Sequence, residues 1–148
     1  MPRCRPLWRV REGCSMADEQ RREVHAWLRK ADDDVRSAQV DLAADPPLIE
    51  DALFHCQQAA EKAMKAFLTA HDTAFRKTHD LDELAAACEE SDASLKAALD
   101  PARDLTVFAW AFRYPGADEA PPEAEAHDSL RLAQATVAAI RERLGRLV

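Results

Sequence analysis

Five side chains in this sequence have the types and spacing to hold an anion: Lys62, Lys65, His79, Arg113 and Tyr114. Lysine offers a point charge and arginine a planar fork of donors, and both are used to hold phosphate. His79 lies in a polar connection, where it could cap a helix, bond a carbonyl or act as acid or base near neutral pH. Tyr114 could stack on a base or close a helix end through packing. Each has a plainer role. Glu61 and Lys65 form an i, i+4 pair that, on a solvated helix face, contributes only a few tenths of a kcal/mol. Arg113 at a helix C-terminus would interact favourably with the helix dipole. His55 reads as a helical, exposed position and is the weaker histidine. The sequence has no Ser-His-Asp set, glycine-rich phosphate loop or metal-ligand cluster. No metal or cofactor is expected, and any catalytic pair would be His79 with Arg113.

The lysines sit on the stretch around which the chain is organised, Phe54 to Leu68. At helical pitch Leu53, Cys56, Ala60, Ala63, Met64 and Phe67 share one side, the pattern of a core-facing helix. His55, Gln58, Glu61, Lys62 and Lys65 share the other, which predicts a solvated polar face or a binding face. Ala59 and Ala66 line a flank where a neighbouring helix can approach closely. Phe54 is a large apolar residue among polar ones and asks to be covered from outside.

Other elements follow from periodicity and breakers. A first helix is predicted over Asp18–Ala44, with a narrow stripe of Val24, Trp27, Leu28, Ala31, Val35, Ala38 and Leu42. Asp45-Pro46-Pro47 ends it. The second helix runs from about Leu48 to Ala70. Asp80 and Glu83 have capping-box spacing, so a third should start near Leu81 and bury Leu84, Ala85 and Cys88. A short helical turn carries Leu95 and Leu99. A fourth helix is predicted over Ala102–Phe112, with Leu105, Phe108, Ala109 and Phe112 on one stripe. Val107 and Trp110 point elsewhere, which marks them, with Phe54, as residues for a partner. Arg113-Tyr114-Pro115-Gly116 breaks this helix. The last helix spans about Pro121–Leu147 along Ala126, Leu130, Ala133, Val137, Ile140, Leu144 and Leu147.

The expected fold is therefore all-α, a mostly antiparallel up-and-down bundle of about five helices. With 148 residues, 47% of them hydrophobic, and only 3 glycines, the chain suits one helical domain with a real core. Residues 1–15 are Arg-rich and aperiodic, and read as a disordered head or an upstream start artefact ahead of a domain over 16–148. The formal net charge is -7, which argues against a broad basic surface for duplex DNA but leaves room for a local cationic patch. Cys56 and Cys88 occupy apolar helix positions and no C-x-x-C pair is present. Reduced thiols in a cytoplasmic protein are the expectation. No apolar run approaches the roughly 20 residues of a membrane span.

Three landmarks stand together: Phe54-His55-x-Gln57-Gln58-Ala59-x-Glu61-Lys62-x-x-Lys65-Ala66, then Thr78-His79-Asp80-Leu81, then Arg113-Tyr114-Pro115-Gly116. In this order and spacing they resemble the HEPN domain family (higher eukaryotes and prokaryotes nucleotide-binding), over nearly the whole chain from Ala17 onward. The resemblance implies a helical bundle that often forms homodimers and binds nucleotides or RNA. It also implies frequent pairing with a small nucleotidyltransferase in toxin–antitoxin or defence modules. Many members are metal-independent ribonucleases carrying Arg-x4-6-His. This chain departs from that motif: no arginine lies five to seven positions before any of its histidines, and residues 118 to 120 are Asp118-Glu119-Ala120. What carries over is the fold, the dimer and a nucleotide site. Three readings stay open: a binding subunit without nuclease activity, a ribonuclease built on His79 and Arg113, and a structural partner that binds no nucleotide.

Overall fold

The computed structural model describes residues 16–112, 114–116 and 119–145. Among them the secondary structure is helical throughout, in the order α1 (Met16–Ala43), α2 (Ile49–Ala70), α3 (Leu81–Ser91), the one-turn α4 (Lys96–Leu99) and α5 (Glu123–Leu144). The 3-10 segments Ala93–Leu95 and Asp100–Ala109 flank α4. The all-α bundle of about five helices expected from periodicity is the fold observed. The predicted head, Arg113 and Leu147 lie outside the described residues.

α2 is the central element, packed against α1, α5, α3 and the long 3-10 segment. Its stripe of Leu53, Cys56, Ala60, Ala63, Met64 and Phe67 is at most 1% exposed, and so are Ala59 and Ala66. Small residues on that flank let the neighbouring helix backbones close in without leaving voids. α1 contributes Val24, Leu28, Ala31, Ala38 and Leu42, and α5 contributes Ala126, Ala133, Val137, Ile140 and Leu144. The side-chain amide of Gln20 in α1 donates to the carbonyls of Thr69 and Ala70 at 2.8 and 3.1 Å. The last turn of α2, which has no basic residue of its own, thus gains a partner for the Ala70 carbonyl and a second one for that of Thr69, which also accepts from the Asp72 N–H at 3.1 Å.

Two local expectations are corrected. Asp80 does cap α3, its carboxylate accepting from the Asp82 N–H at 2.9 Å. Glu83 does not return the bond: the Asp80 N–H donates to the Thr78 hydroxyl at 3.1 Å, and Glu83 is engaged through both oxygens by Arg76 at 2.7 Å. A bidentate guanidinium is the stronger partner for a carboxylate than one backbone N–H. The predicted fourth α-helix is instead a 3-10 segment over Asp100–Ala109 followed by a turn. Val107 near the end of the 3-10 segment and Trp110 at its C-cap are both turned outward, 45% and 53% exposed. Leu105 and Ala109 face the core. Phe108 and Phe112 stack with centroids 6.2 Å apart.

Candidate functional site: a buried carboxylate under an exposed histidine

The polar side of α2, expected to be either a solvated or a binding face, is buried along its middle file. Gln57 is 0%, Glu61 3% and Lys65 7% exposed. The reason lies in the neighbours: α1 covers one flank of this ridge and the 78–80 connection covers the other. Spacing of four residues puts Gln57, Glu61 and Lys65 in one file along the helix, and Glu61 sits in the middle of it.

Glu61 collects four donors. Its Oε1 accepts from Lys65 Nζ at 2.7 Å. Its Oε2 accepts from Gln57 Nε2 at 3.0 Å and Gln58 Nε2 at 3.2 Å, and lies 3.0 Å from Nδ1 of His79. The Gln57 amide also reaches the His79 carbonyl at 3.0 Å, so the same helix holds both backbone and ring of that residue. Burial pushes the Glu61 carboxyl pKa up, but the bonds from Lys65, His79 and Gln57 outweigh it and hold the group below its ordinary value. An ionised carboxylate only accepts, so Nδ1 of His79 carries the proton. The other ring nitrogen, Nε2, is left for solvent or a ligand, on a side chain that is 60% exposed.

Lys65 is enclosed from the far side by aromatic faces. Its Nζ lies 5.5 Å from the Trp27 ring centroid and 5.8 Å from that of Phe75. Trp27 and Phe75 meet edge to face at 6.4 Å. Cation–π contacts and one charged partner together offset the desolvation of this ammonium. Lys65 is a sequestered charge rather than a free one.

Lys62 belongs to a second network. It pairs with Asp34 of α1, whose other oxygen lies 2.9 Å from Nδ1 of His55. Nε2 of His55 is 4.0 Å from the Asp41 carboxylate, so His55 is a half-buried member of an α1–α2 polar seam and not an exposed helical residue. Burial raises the Asp41 carboxyl pKa, with His55 pulling it back and Asp51 adding to the rise.

Thus the structure joins Lys65 and His79 through Glu61, and turns Lys62 toward Asp34. Tyr114 is 76% exposed. Arg113 lies outside the described residues. Its neighbour Phe112 lines a cavity of about 260 Å³ with Phe54, Phe108, Glu50 and Asp51. That cavity stands at the first turns of α2, and from Phe54 to Lys65 the helix rises roughly 16 Å. Among the described residues no group of His, Cys, Asp or Glu could hold a metal ion, and no helix is long and apolar enough to cross a membrane.

A family model for the HEPN domain matches residues 24–143. The chain belongs to the HEPN domain family. The matched span holds the whole Glu61 hub, from Trp27 on α1 to His79, and the exposed Val107 and Trp110. No curated protein and no solved structure matches the chain. Membership supports a nucleotide- or RNA-related role for this HEPN protein.

Sequence reasoning missed Gln57, Asp34, Trp27 and Thr106 as parts of the site. The file Gln57–Glu61–Lys65 was visible as a repeat of four, amide to acid to base. Asp34 was visible as a carboxylate interrupting the apolar stripe of α1. Thr106, whose hydroxyl accepts from the Leu81 N–H at 3.1 Å, left no local signal.

Proposed function

We propose that this HEPN chain is a nucleotide- or RNA-binding subunit that works with a separately encoded small nucleotidyltransferase in a toxin–antitoxin or defence-type module. It has no ribonuclease centre of the Arg-x4-6-His kind. The observation that carries the reading is the exposed imidazole of His79, held at Nδ1 by the buried Glu61. An imidazole fixed by one nitrogen presents the other in a defined direction, and once protonated its Nε2–H donates to a phosphate oxygen. In this reading Lys65 positions the hub, while Lys62, Arg113 and Tyr114 complete the ligand-binding set. The protein acts in the cytoplasm as a homodimer, with Phe54, Val107 and Trp110 at or near the interface. Two exposed apolar side chains three residues apart, Val107 and Trp110, support that surface, since covering each would contribute about 1.5–3 kcal/mol.

The test is equilibrium binding of ATP and of a short RNA at low salt. His79→Ala and Arg113→Ala should each weaken binding about 10-fold or more at unchanged helicity. Lys65→Ala should weaken binding and also lower stability, because it unpairs Glu61. Wild-type protein that binds neither ligand, with its nucleotidyltransferase present, sinks the reading.

A second reading rests on the same imidazole. A carboxylate-held histidine with an open nitrogen is the arrangement of a general base, so a ribonuclease using His79 and Arg113 is the alternative. RNA cleavage by the wild type that disappears in His79→Ala selects it.

A further inference from the structure

Nine arginines fall among the described residues. Six of them, Arg21, Arg76, Arg103, Arg131, Arg141 and Arg143, form ion pairs with carboxylates of the same chain. The three that form none among the described residues are Arg22, Arg29 and Arg36. All are exposed and all are on α1, each seven residues from the next. At 1.5 Å per residue they stand roughly 10 Å apart and span roughly 21 Å. Seven residues fall about 20° from a whole number of helical turns, so the three form one slowly slanting row.

That row lies on the side of α1 away from the core, since Val24, Leu28, Ala31 and Ala38 are buried on the other side. Two nearby acids are already engaged, Asp18 with Arg21 and Asp32 with Arg141. Asp33 stands one turn from both Arg29 and Arg36, and Glu19 one turn before Arg22. Next to it a shallow hollow of about 400 Å³ is bounded by Ala26, Arg29, Lys30, Asp32 and Asp33. An acidic chain that pairs its other described arginines leaves these three in a line, a local strip of positive charge.

We propose that this outer face of α1 is a track for the sugar–phosphate backbone of RNA. It takes a run of phosphates, roughly six nucleotide steps at 3.4 Å per step, rather than a single nucleotide. The proposal rests on the nucleotide reading above and narrows it from nucleotide to polymer. Arginine suits the task because its fork holds phosphate oxygens two at a time. A membrane surface is the poorer match. Interfacial helices insert an apolar face, and the apolar face of α1 is buried in the bundle, leaving Val40 as the exposed large apolar residue on that helix.

The experiment compares the full chain with the triple variant Arg22→Gln/Arg29→Gln/Arg36→Gln and with Asp33→Asn. A fluorescent 20-nucleotide RNA, ATP and phosphatidylserine vesicles serve as probes across a salt series. The triple variant should bind the RNA at least 10-fold more weakly. Its slope of log affinity against log salt should flatten by about 2, the loss of three contacts at about 0.7 each. ATP binding should not change, and Asp33→Asn should bind RNA several-fold more tightly. An unchanged RNA affinity and slope in the triple variant overturns the track but leaves the His79 reading standing. So does wild-type protein that binds ATP but not RNA. Wild-type protein that binds neither overturns both. Vesicle binding that depends on the three arginines, without RNA binding, also overturns the track. Should the triple variant lose helicity, Arg29→Gln and Asp33→Asn decide by moving RNA affinity in opposite directions or by failing to.

Discussion

Nδ1 of the exposed His79 lies 3.0 Å from Oε2 of Glu61, a side chain that is only 3% exposed. A residue of the 78–80 connection is thereby anchored on the central helix, and the anchor is an ionised group whose other oxygen holds Lys65. Stability and the orientation of the candidate ligand-binding imidazole therefore depend on the same carboxylate.

Glu61→Gln should cost about 3–5 kcal/mol in urea or thermal unfolding, the range for breaking a buried ion pair and leaving one charge behind. Glu61→Gln with Lys65→Met should recover much of it, because no unpaired charge remains. The pH dependence has a definite sign. A depressed carboxyl pKa contributes stability above the ordinary value of 4.5, and that contribution is lost as pH falls through the lower folded value. The gap between wild type and Glu61→Gln should be widest at neutral pH and should narrow in acid below about 4.5.

Cys56 and Cys88 are buried, free thiols. Burial, with Asp41 near the first and Glu89 near the second, pushes both up to about 12. The thiolate is the reactive form. Labelling with a thiol reagent at pH 8, read by mass, should therefore modify these two only after unfolding. Rapid native modification of either would contradict the packing of α2 against α3.

Thr106→Val should destabilise by about 1–2 kcal/mol, since it leaves the Leu81 N–H at the start of α3 without its acceptor. The bond ties the 3-10 segment to the connection that carries His79. Chemical-shift changes at His79 should accompany the loss; an unperturbed His79 would show that Glu61 alone positions the ring.

Trp110→Glu should convert the proposed dimer to monomer in sedimentation with little change in thermal stability. Trp110 is 53% exposed, so the substitution leaves the core of the protomer intact. An unchanged association state would remove Trp110 from the interface.

Much of the fold was legible in order along the chain. Stripes at helical spacing named the buried residues of α1, α2 and α5, because period and core-facing side are local properties of sequence. Asp45-Pro46-Pro47 marked the end of α1 for the same reason: proline acts on its own turn. The ordered landmarks from Phe54 to Gly116 carried the family. Spacing could not reveal how deeply Glu61 and Lys65 are buried. A polar face is solvated only if nothing lies on it, and α1 and the 78–80 connection lie on this one. The 3-10 winding of Asp100–Ala109 was hidden too, since i+3 and i+4 spacings differ little over ten residues, and the Leu81–Thr106 tie across 25 positions belongs to the folded arrangement. Sequence determined which residues carry charge; the tertiary structure decided which charges are balanced. Lys62 and Lys65, the cations that sequence spacing put forward, meet Asp34 and Glu61, while Arg22, Arg29 and Arg36 meet no carboxylate among the described residues, because α1 turns them away from the bundle.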